Sequence, residues 1–216
     1  MHKDKALVLF SGGQDSTVCL AWALERFAKV ETIGFDYGQR HCREIKAAKR
    51  LARKSGSTYQ IIRINLPWKG SSLLDRNKKI SRARNNIIPA TYVPARNIIF
   101  LSFALSFAEA IAAKAIFIGA HSQDYSGYPD CRPEFYQAFR KVSFSGTKAG
   151  LQNKGIEIIT PLIYKSKAQI IRMGSRLGVP FELTWSCYKG GKEPCGKCDS
   201  CYYRIKGFRE AGIAYR

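Results

Sequence analysis

The sequence predicts an α/β fold in which a Rossmann-like, parallel, five-stranded sheet carries helices on both faces. Strand-like and helix-like segments alternate along the 216 residues, as they do in parallel sheets. An apolar content of 45% is enough for a full core. Four cysteines near the C-terminus have metal-site spacing, which predicts an appended segment. We therefore expect an α/β domain over residues 1–183 and a metal-binding segment over residues 184–216 that packs on it.

The first half of the chain supplies three strands and two helices. Residues 6–10 (ALVLF) form a short apolar run that is typical of a buried parallel strand. Residues 16–28 follow with helical periodicity, and residues 32–35 predict the second strand. A second helix is predicted over residues 43–53, and the alternating residues 59–66 (YQIIRINL) predict the third strand.

The second half of the chain repeats this alternation. Residues 97–114 predict a long apolar helix under the sheet, and residues 115–119 (AIFIG) predict the fourth strand. A helix over residues 132–144 leads towards a fifth strand over residues 156–160, and a helix over residues 167–177 follows. A short helix is expected to close the chain. Ligands of such sheets bind at the carboxyl ends of the strands, where the motifs described below also lie.

The formal charge of +20 indicates an anionic partner, either a nucleic acid or a small ligand with phosphate or carboxylate groups. The basic residues are spread along the chain, apart from a dense run at residues 76–84 (RNKKISRAR) within a polar stretch over residues 67–94. We predict that this stretch is an irregular surface excursion. Spread charge is weaker evidence for nucleic-acid binding than a single basic face, so a nucleic-acid partner is not favoured. The alternative is a general bias of the surface towards basic residues.

The four cysteines of the tail predict a structural zinc site. Cys187 precedes two overlapping C-x-x-C turns formed by Cys195, Cys198 and Cys201, and four thiolates suit tetrahedral Zn²⁺. The alternative is a pair of disulfides, which requires an oxidising compartment. The charged N-terminus lacks a secretory signal and no run approaches the ~20 apolar residues of a membrane span, so we predict a cytoplasmic protein without a membrane partner. The other cysteines, expected to be reduced, are Cys19, Cys42 and Cys131.

The loop after the first strand, residues 10–16 (FSGGQDS), predicts an anion site. Adjacent glycines let the backbone approach a ligand closely, and the amides at the start of the next helix face an anion. Ser11 and Ser16 add hydroxyl donors, while Asp15 is suited to capping the helix or to binding Mg²⁺. The loop matches neither a Walker A loop nor G-x-G-x-x-G. A tight turn without a ligand remains the alternative.

The Ser-Gly-Gly-x-Asp-Ser pattern resembles the pyrophosphate-binding loop of the N-type ATP pyrophosphatases, the PP-loop superfamily. Members adenylate a carboxyl, amide or carbonyl group and release pyrophosphate. The resemblance implies that ATP with Mg²⁺ binds here. The residues that it assigns to the nucleotide are Phe10, Ser11, Gly12, Gly13, Gln14, Asp15, Ser16, Thr17, Val18, Cys19 and Leu20.

Further segments narrow the resemblance to the 7-cyano-7-deazaguanine synthase family of queuosine-precursor biosynthesis. They are residues 35–41 (FDYGQRH) with Glu44 beyond, residues 92–97 (YVPARN), residues 124–135 (DYSGYPDCRPEF), residues 160–167 (TPLIYKSK) and residues 184–188 (TWSCY). The resemblance runs from Phe10 to about Gly212. Two departures are His121-Ser122-Gln123, where a smaller, Asn-like tripeptide is expected, and Ala95, where glycine is common.

This resemblance implies an ATP-dependent carbon–nitrogen ligase that converts 7-carboxy-7-deazaguanine and ammonia to the 7-nitrile. Adenylation of the acid, amide formation and dehydration with a second ATP follow in that order, and the loop favours AMP over ADP as the product. A homodimer is also implied. One rival is a PP-loop enzyme that adenylates tRNA for thiolation or lysidine formation; the charge favours it, but no separate RNA-binding domain is evident. The other rival is a non-enzymatic zinc-ribbon module.

Three residues are candidates for catalysis under this resemblance. Asp15 belongs to the loop, and Lys167 is expected to neutralise the departing phosphates, with Lys165 as a rival and a solvated lysine as the alternative. Arg96 is suited to binding phosphate or the substrate carboxylate through two donors. Its position near a helix start is electrostatically unfavourable, which favours a functional role over a surface one.

The candidate substrate-binding residues are Tyr37, His41, Asp124, Asp130 and Arg132. A carboxylate can accept both N1–H and the exocyclic amine of deazaguanine, which suits Asp130 or Asp124, although both also fit turn positions. Arg132 is expected to bind the 7-carboxylate. Tyr37, with Tyr125 and Tyr128 as alternatives, is expected to stack on the ring. His41 is the candidate base, although a lone histidine is more often structural. Cys131 is expected to pack.

Overall fold

The computed structural model describes residues 2–68, 70–75, 77–80, 88–122 and 127–215. Five parallel strands form one sheet, which confirms the predicted fold class. The strands are β1 (His2–Leu9), β2 (Phe27–Asp36), β3 (Thr58–Arg63), β4 (Ala115–Phe117) and β5 (Glu157–Ile159). They are arranged in the order β3-β2-β1-β4-β5, and each neighbouring pair is parallel.

Helices lie between the strands and after β5. They are α1 (Gln14–Leu24), α2 (Arg43–Lys54), α3 (Arg96–Ala110), α4 (Pro133–Ser145), α5 (Lys148–Leu151), α6 (Lys167–Arg176) and α7 (Asp199–Ala211). None of the described helices is both long and apolar enough to cross a bilayer.

Several details differ from the sequence-based expectation. The first helix ends at Leu24 instead of continuing to residue 28, and β2 begins at Phe27, five residues earlier than predicted. The reason is pairing: Val30 is buried and lies in register with Ala6 of β1, so the ladder extends β2 towards its start. The one-turn helix α5 was not predicted, since four residues are too few to show a period.

The order of the strands reverses next to β1, which makes the carboxyl ends of β1 and β4 the topological switch point of the sheet. The chain moves outwards from β1 to β2 and β3, then crosses back to place β4 on the other side of β1. Loops diverge at such a point and leave a crevice, where open α/β sheets bind their ligands. The glycine loop after β1 and Gly119 after β4 both lie there.

Alternate residues of β1 face two separate cores. Ala6 and Val8 pack into a core that includes Leu51 of α2 and Ile170 of α6, together with residues of α1 and α7. Leu7 packs on the opposite face, in a core that also contains apolar residues of α3 and α4. A strand with both faces buried explains the continuous apolar run in the sequence.

The C-terminal helix α7 is attached to the main body by packing and by one buried arginine. A Cβ atom at Gly207 would lie 2.8 Å from the Cβ of Lys167, so α6 and α7 are in close contact at this point. The Arg204 guanidinium donates to the Thr184 hydroxyl (2.6 Å) and to the Phe181 carbonyl (2.7 Å). The cysteine-containing tail is therefore fixed against the sheet domain.

Candidate active site and metal centre

The glycine loop requires glycine for a steric reason. Gly12 has a φ of +77°, in the left-handed region, and a Cβ atom there would lie 2.4 Å from the backbone nitrogen of Ala48 in α2. The loop thus lies directly against the backbone of α2. The next residue, Gly13, precedes the first turn of α1, and this helix starts without a side-chain cap. A helix N-terminus at the switch point is a favourable site for an anion.

Hydroxyl groups hold the loop in shape. The Ser16 and Thr17 hydroxyls donate to the Gly13 carbonyl, at 3.1 and 2.7 Å, and the Ser11 and Ser16 oxygens lie 3.1 Å apart. These contacts tie the carbonyl back onto α1. The Gly13 amide donates to the Ser11 hydroxyl at 3.3 Å, so the loop is also closed by a bond to its own side chain.

A charged cluster lies beside the loop. Lys167 Nζ donates to Asp15 Oδ2 at 2.5 Å and lies 2.8 Å from His121 Nε2, which is 3.6 Å from the same carboxylate oxygen. Burial raises the pKa of Asp15, but the charges of Lys167 and His121 outweigh it and hold that pKa well below its usual range. The Asp15 carboxylate therefore does not cap α1. It stays ionised and forms an ion pair with Lys167, which is the lysine in contact with it, and not with Lys165.

Close packing brings this cluster together. Gly119 follows β4, and a Cβ atom there would lie 3.0 Å from both the carbonyl carbon of Asp15 and the nitrogen of Ser16. Only a residue without a side chain lets β4 approach the loop so closely. The sequence analysis singled out His121 only as a departure from the family pattern. Its contact with Lys167 spans 46 residues, and no local pattern could have indicated it.

A cavity of about 320 Å³ opens next to the loop. Tyr37, Arg96 and Phe100 line it: an Arg96 guanidinium nitrogen donates to the Tyr37 hydroxyl at 3.1 Å, and the Arg96 charge lies 5.8 Å from the Phe100 ring. The Phe35 and Phe100 rings stack at 4.0 Å. The cavity therefore combines a fixed cation with flat apolar surfaces, which suits a planar anion.

Not all of the predicted substrate residues line this cavity. Asp130 is buried and its Oδ2 accepts from the backbone nitrogen of Asn97 at 2.9 Å, so this carboxylate caps α3. Arg132 is exposed and precedes α4. Tyr128 does line the cavity, and its hydroxyl is 2.7 Å from that of Thr91. The candidates Asp124 and Tyr125 lie outside the described residues.

His41 and Glu44 both face the cavity from the segment after β2. His41 packs edge-on against Trp185 at 6.5 Å, and burial lowers its pKa. Glu44 lies in the first turn of α2, where burial raises its pKa to about 7 although the charge of Arg96 opposes this shift. The sequence analysis named Glu44 only as part of a motif and gave it no role.

The four tail cysteines converge as their spacing predicts. The sulfur atoms of Cys187, Cys195, Cys198 and Cys201 all lie within 4.8 Å of one another, and each is a free thiol. A tetrahedral zinc site with ~2.3 Å Zn–S bonds separates its sulfurs by roughly 3.8 Å, so the donor set fits such an ion. Backbone amides of Lys189 and Cys195 donate to the Cys187 sulfur, at 3.4 and 3.3 Å. Such contacts stabilise thiolates.

Trp185 joins the cysteine cluster to the glycine loop. Its backbone nitrogen donates to the Gly12 carbonyl at 3.0 Å, and its indole nitrogen donates to the Cys187 carbonyl at 3.0 Å. Trp185, Ser186 and Tyr188 also line the cavity. The segment that carries the four cysteines therefore forms part of the wall of the cavity.

Comparison with known proteins supplies the family. The family described as "Queuosine biosynthesis protein QueC" matches residues 5–212 of the chain. The chain belongs to the QueC family. A member from Thermoplasma acidophilum, named 7-cyano-7-deazaguanine synthase, is 52% identical over 98% of this chain and 90% of its own length. The member of that name from Acetivibrio thermocellus is 50% identical, over 97% of this chain and 95% of its own.

Solved structures support the fold of this QueC family member. An NMN synthetase from Francisella tularensis has a TM-score of 0.52 at 12% identity and covers 99% of this chain and 79% of its own. A predicted tRNA methyltransferase subunit from Methanocaldococcus jannaschii has a TM-score of 0.50 at 17% identity, over 80% of this chain and 76% of its own. At these identities the likeness concerns the fold alone.

Proposed function

We propose that this protein converts 7-carboxy-7-deazaguanine, ammonia and ATP to 7-cyano-7-deazaguanine. Membership of the QueC family and the names of its close relatives support this reaction. The observation that carries it is the junction of two sites: a glycine loop with the Asp15–Lys167 pair opens directly onto a cavity that contains Arg96 and stacked aromatic rings. The loop suits the triphosphate of a nucleotide, and the cavity suits a planar ring that carries a carboxylate group.

The loop side of the junction fits a magnesium nucleotide. Asp15 Oδ1 and both polar atoms of the Gln14 side chain are buried and have no hydrogen-bond partner among the described residues. An ionised carboxylate oxygen suits Mg²⁺, and a buried amide suits phosphate oxygens or a metal-bound water. Lys167 lies where a cation opposes the charge that develops on departing pyrophosphate. Asp15, Lys167 and the loop backbone thus form the proposed nucleotide site.

The chemistry follows from the weakness of a carboxylate as an electrophile. A carboxylate oxygen of the substrate attacks the α-phosphorus of ATP, the bond to the bridging oxygen breaks, and pyrophosphate leaves. Ammonia then attacks the acyl carbon, AMP leaves and one proton is lost, which gives the amide. A second ATP adenylates the amide oxygen; loss of AMP and of both N–H protons leaves the nitrile. Arg96 is suited to orienting the acid, because it is fixed by Tyr37.

The four cysteines are proposed to bind one structural Zn²⁺ within the segment over residues 184–216, which packs on the domain over residues 1–183. Four protein ligands leave no open coordination position, so the ion stabilises this segment and takes no part in the reaction. Reduced thiols of this kind fit a cytoplasmic location.

A homodimer is proposed through helix α3. Two large apolar side chains of this helix, Ile98 and Phe103, are 44% and 42% exposed. Exposed apolar side chains on one helix favour an interface. Sedimentation of the purified protein tests this: the Phe103→Asp variant should be monomeric, whereas the Phe144→Asp variant, altered at another exposed phenylalanine, should remain dimeric.

Mass spectrometry of the products tests the proposed reaction. The protein is incubated with 7-carboxy-7-deazaguanine, MgATP and ammonium, and the nitrile together with AMP and pyrophosphate is expected. The competing tRNA-modifying activity predicts instead ATP consumption that depends on tRNA, with binding that weakens steeply as salt rises. Formation of AMP only when tRNA is present would overturn the proposal.

A further inference from the structure

Two acidic side chains line the cavity in the described part of the chain, and they differ in their partners. Asp15 forms an ion pair with Lys167 at 2.5 Å. Glu44 forms neither a hydrogen bond nor an ion pair through its carboxylate with any described residue. A half-buried carboxylate without donors is unfavourable in the free protein, because its lost hydration is not replaced. Glu44 is thus suited to a ligand that brings hydrogen-bond donors.

The position of Glu44 is fixed by the contact of α2 with the glycine loop. Its backbone carbonyl would lie 2.7 Å from a Cβ atom at Gly12, so the backbone of Glu44 packs directly against the loop. The carboxylate interacts electrostatically with Arg96 on α3, Tyr37 after β2 and Tyr59 on β3. Asp15, Arg40 and His41 are further charged or titratable groups in the same cavity. The carboxylate therefore lies close to the aromatic rings and to the fixed cation.

The two heterocycles of the proposed reaction present different edges to a carboxylate. The pyrimidine edge of deazaguanine carries N1–H and a 2-amino group, which are adjacent donors that one carboxylate can accept together. The corresponding edge of adenine pairs the 6-amino donor with the N1 acceptor, so an ionised carboxylate accepts one bond there and faces a lone pair at the other atom. Charged, paired hydrogen bonds are also the strongest. An unpartnered carboxylate in this cavity therefore fits deazaguanine.

The alternative carboxylate is already engaged. Asp130 accepts from the backbone nitrogen of Asn97 and does not line the cavity, so binding the ring would uncap α3. Building on the proposed function, we infer that Glu44 binds the N1–H and 2-amino edge of the deazaguanine ring and thereby sets the specificity of the enzyme for a 2-amino-6-oxo heterocycle. Tyr37, Phe100 and Arg96 line the same pocket and are available to contact the ring.

A thermodynamic cycle tests this inference by combining one substitution in the enzyme with the removal of one group from the substrate. Nitrile formation is measured for the natural acid and for its analogue without the 2-amino group, with the wild-type enzyme and with Glu44→Gln. Loss of the amino group should lower kcat/KM of the wild type on the order of 10²-fold, because it removes a hydrogen bond to a charged group and leaves the carboxylate unsatisfied. In Glu44→Gln, removal of the amino group should lower kcat/KM only several-fold or less. The reason is that a glutamine side chain offers one acceptor and a competing donor.

Three outcomes separate the possibilities. If the wild type forms no nitrile from the natural acid, the proposed function fails, and the inference fails with it. If the wild type is active but the two changes act additively, Glu44 does not contact the amino group and the inference alone is wrong. If Glu44→Gln instead raises KM for ammonium and leaves ring discrimination intact, Glu44 acts on the nucleophile, which also overturns the inference. Glu182→Gln, at an exposed position, is the matched control and should behave as the wild type.

Discussion

The glycine loop and the cysteine cluster are held in place by different kinds of contact. The cluster is local: four thiols within fifteen residues converge, and neighbouring backbone amides donate to them. The loop depends on distant partners, since α2 packs on Gly12, β4 packs through Gly119, and Lys167 comes from α6. The two regions meet at Trp185. A local site is therefore visible in sequence spacing, while a site at a sheet edge depends on the whole fold.

The largest expected effect comes from the charged side of the loop. Asp15→Ala should lower nitrile formation by at least about 10³-fold, since it removes both the proposed Mg²⁺ ligand and the partner of Lys167. The circular dichroism spectrum should remain unchanged, because the change creates no buried cavity in the apolar core. Steady-state turnover measures the loss. Glu182→Ala serves as a control, and activity of Asp15→Ala within tenfold of wild type would remove this residue from the site.

Breaking the cluster should damage the loop as well. Cys198→Ser should release the bound metal, lower Tm by about 10 °C and weaken nucleotide binding, because the Trp185 contact to Gly12 loses its support. Metal content, calorimetry and nucleotide titration measure the three effects. Cys42→Ser, an exposed thiol outside the cluster, should change none of them. Full metal content and an unchanged Tm in Cys198→Ser would contradict the structural role of the cluster.

A smaller change should distort the loop from the opposite side and leave the cluster intact. Gly119→Ala places a methyl group 3.0 Å from the Asp15 backbone, which should cost about 1–3 kcal/mol of unfolding free energy and displace the carboxylate from Lys167. The rate of nitrile formation should fall even under conditions in which the variant is still fully folded, while metal content stays at the wild-type level. Parallel denaturation and turnover measurements test this. An active, equally stable variant would show that β4 does not constrain the loop.

A further effect, expected only above about pH 5, is a pH dependence of stability at Glu44. Its pKa is raised from 4.5 to about 7, so the folded state binds this proton more tightly than the unfolded state does. The carboxylate therefore destabilises the fold progressively as pH rises from about 5 to 8. Glu44→Gln should gain about 1–3 kcal/mol of unfolding free energy relative to wild type at pH 8, and little at pH 5. A difference that does not change with pH would contradict the raised pKa.

Much of this architecture could be predicted from the sequence. The five strands, the glycine loop and the four cysteines each have a local signature in the form of apolar runs, paired glycines and fixed spacing. The charged cluster around Asp15 had no local signature in the sequence, because Lys167 lies 152 residues away and His121 follows a different strand, β4. Asp130 had the right chemistry for binding the ring, but tertiary packing uses it to cap α3. The lack of a hydrogen-bond or ion-pair partner among the described residues, which sequence does not reveal, distinguishes Glu44 from Asp15 and Asp130.

Exchange of labelled pyrophosphate into ATP tests the central claim, that the loop binds the departing pyrophosphate while the substrate acid takes the adenylyl group. The enzyme, MgATP and labelled pyrophosphate are incubated without ammonium, with and without 7-carboxy-7-deazaguanine. Label should enter ATP only when the acid is present, and Asp15→Ala should abolish this exchange. Release of ADP and phosphate, with no label in ATP, would contradict the claim.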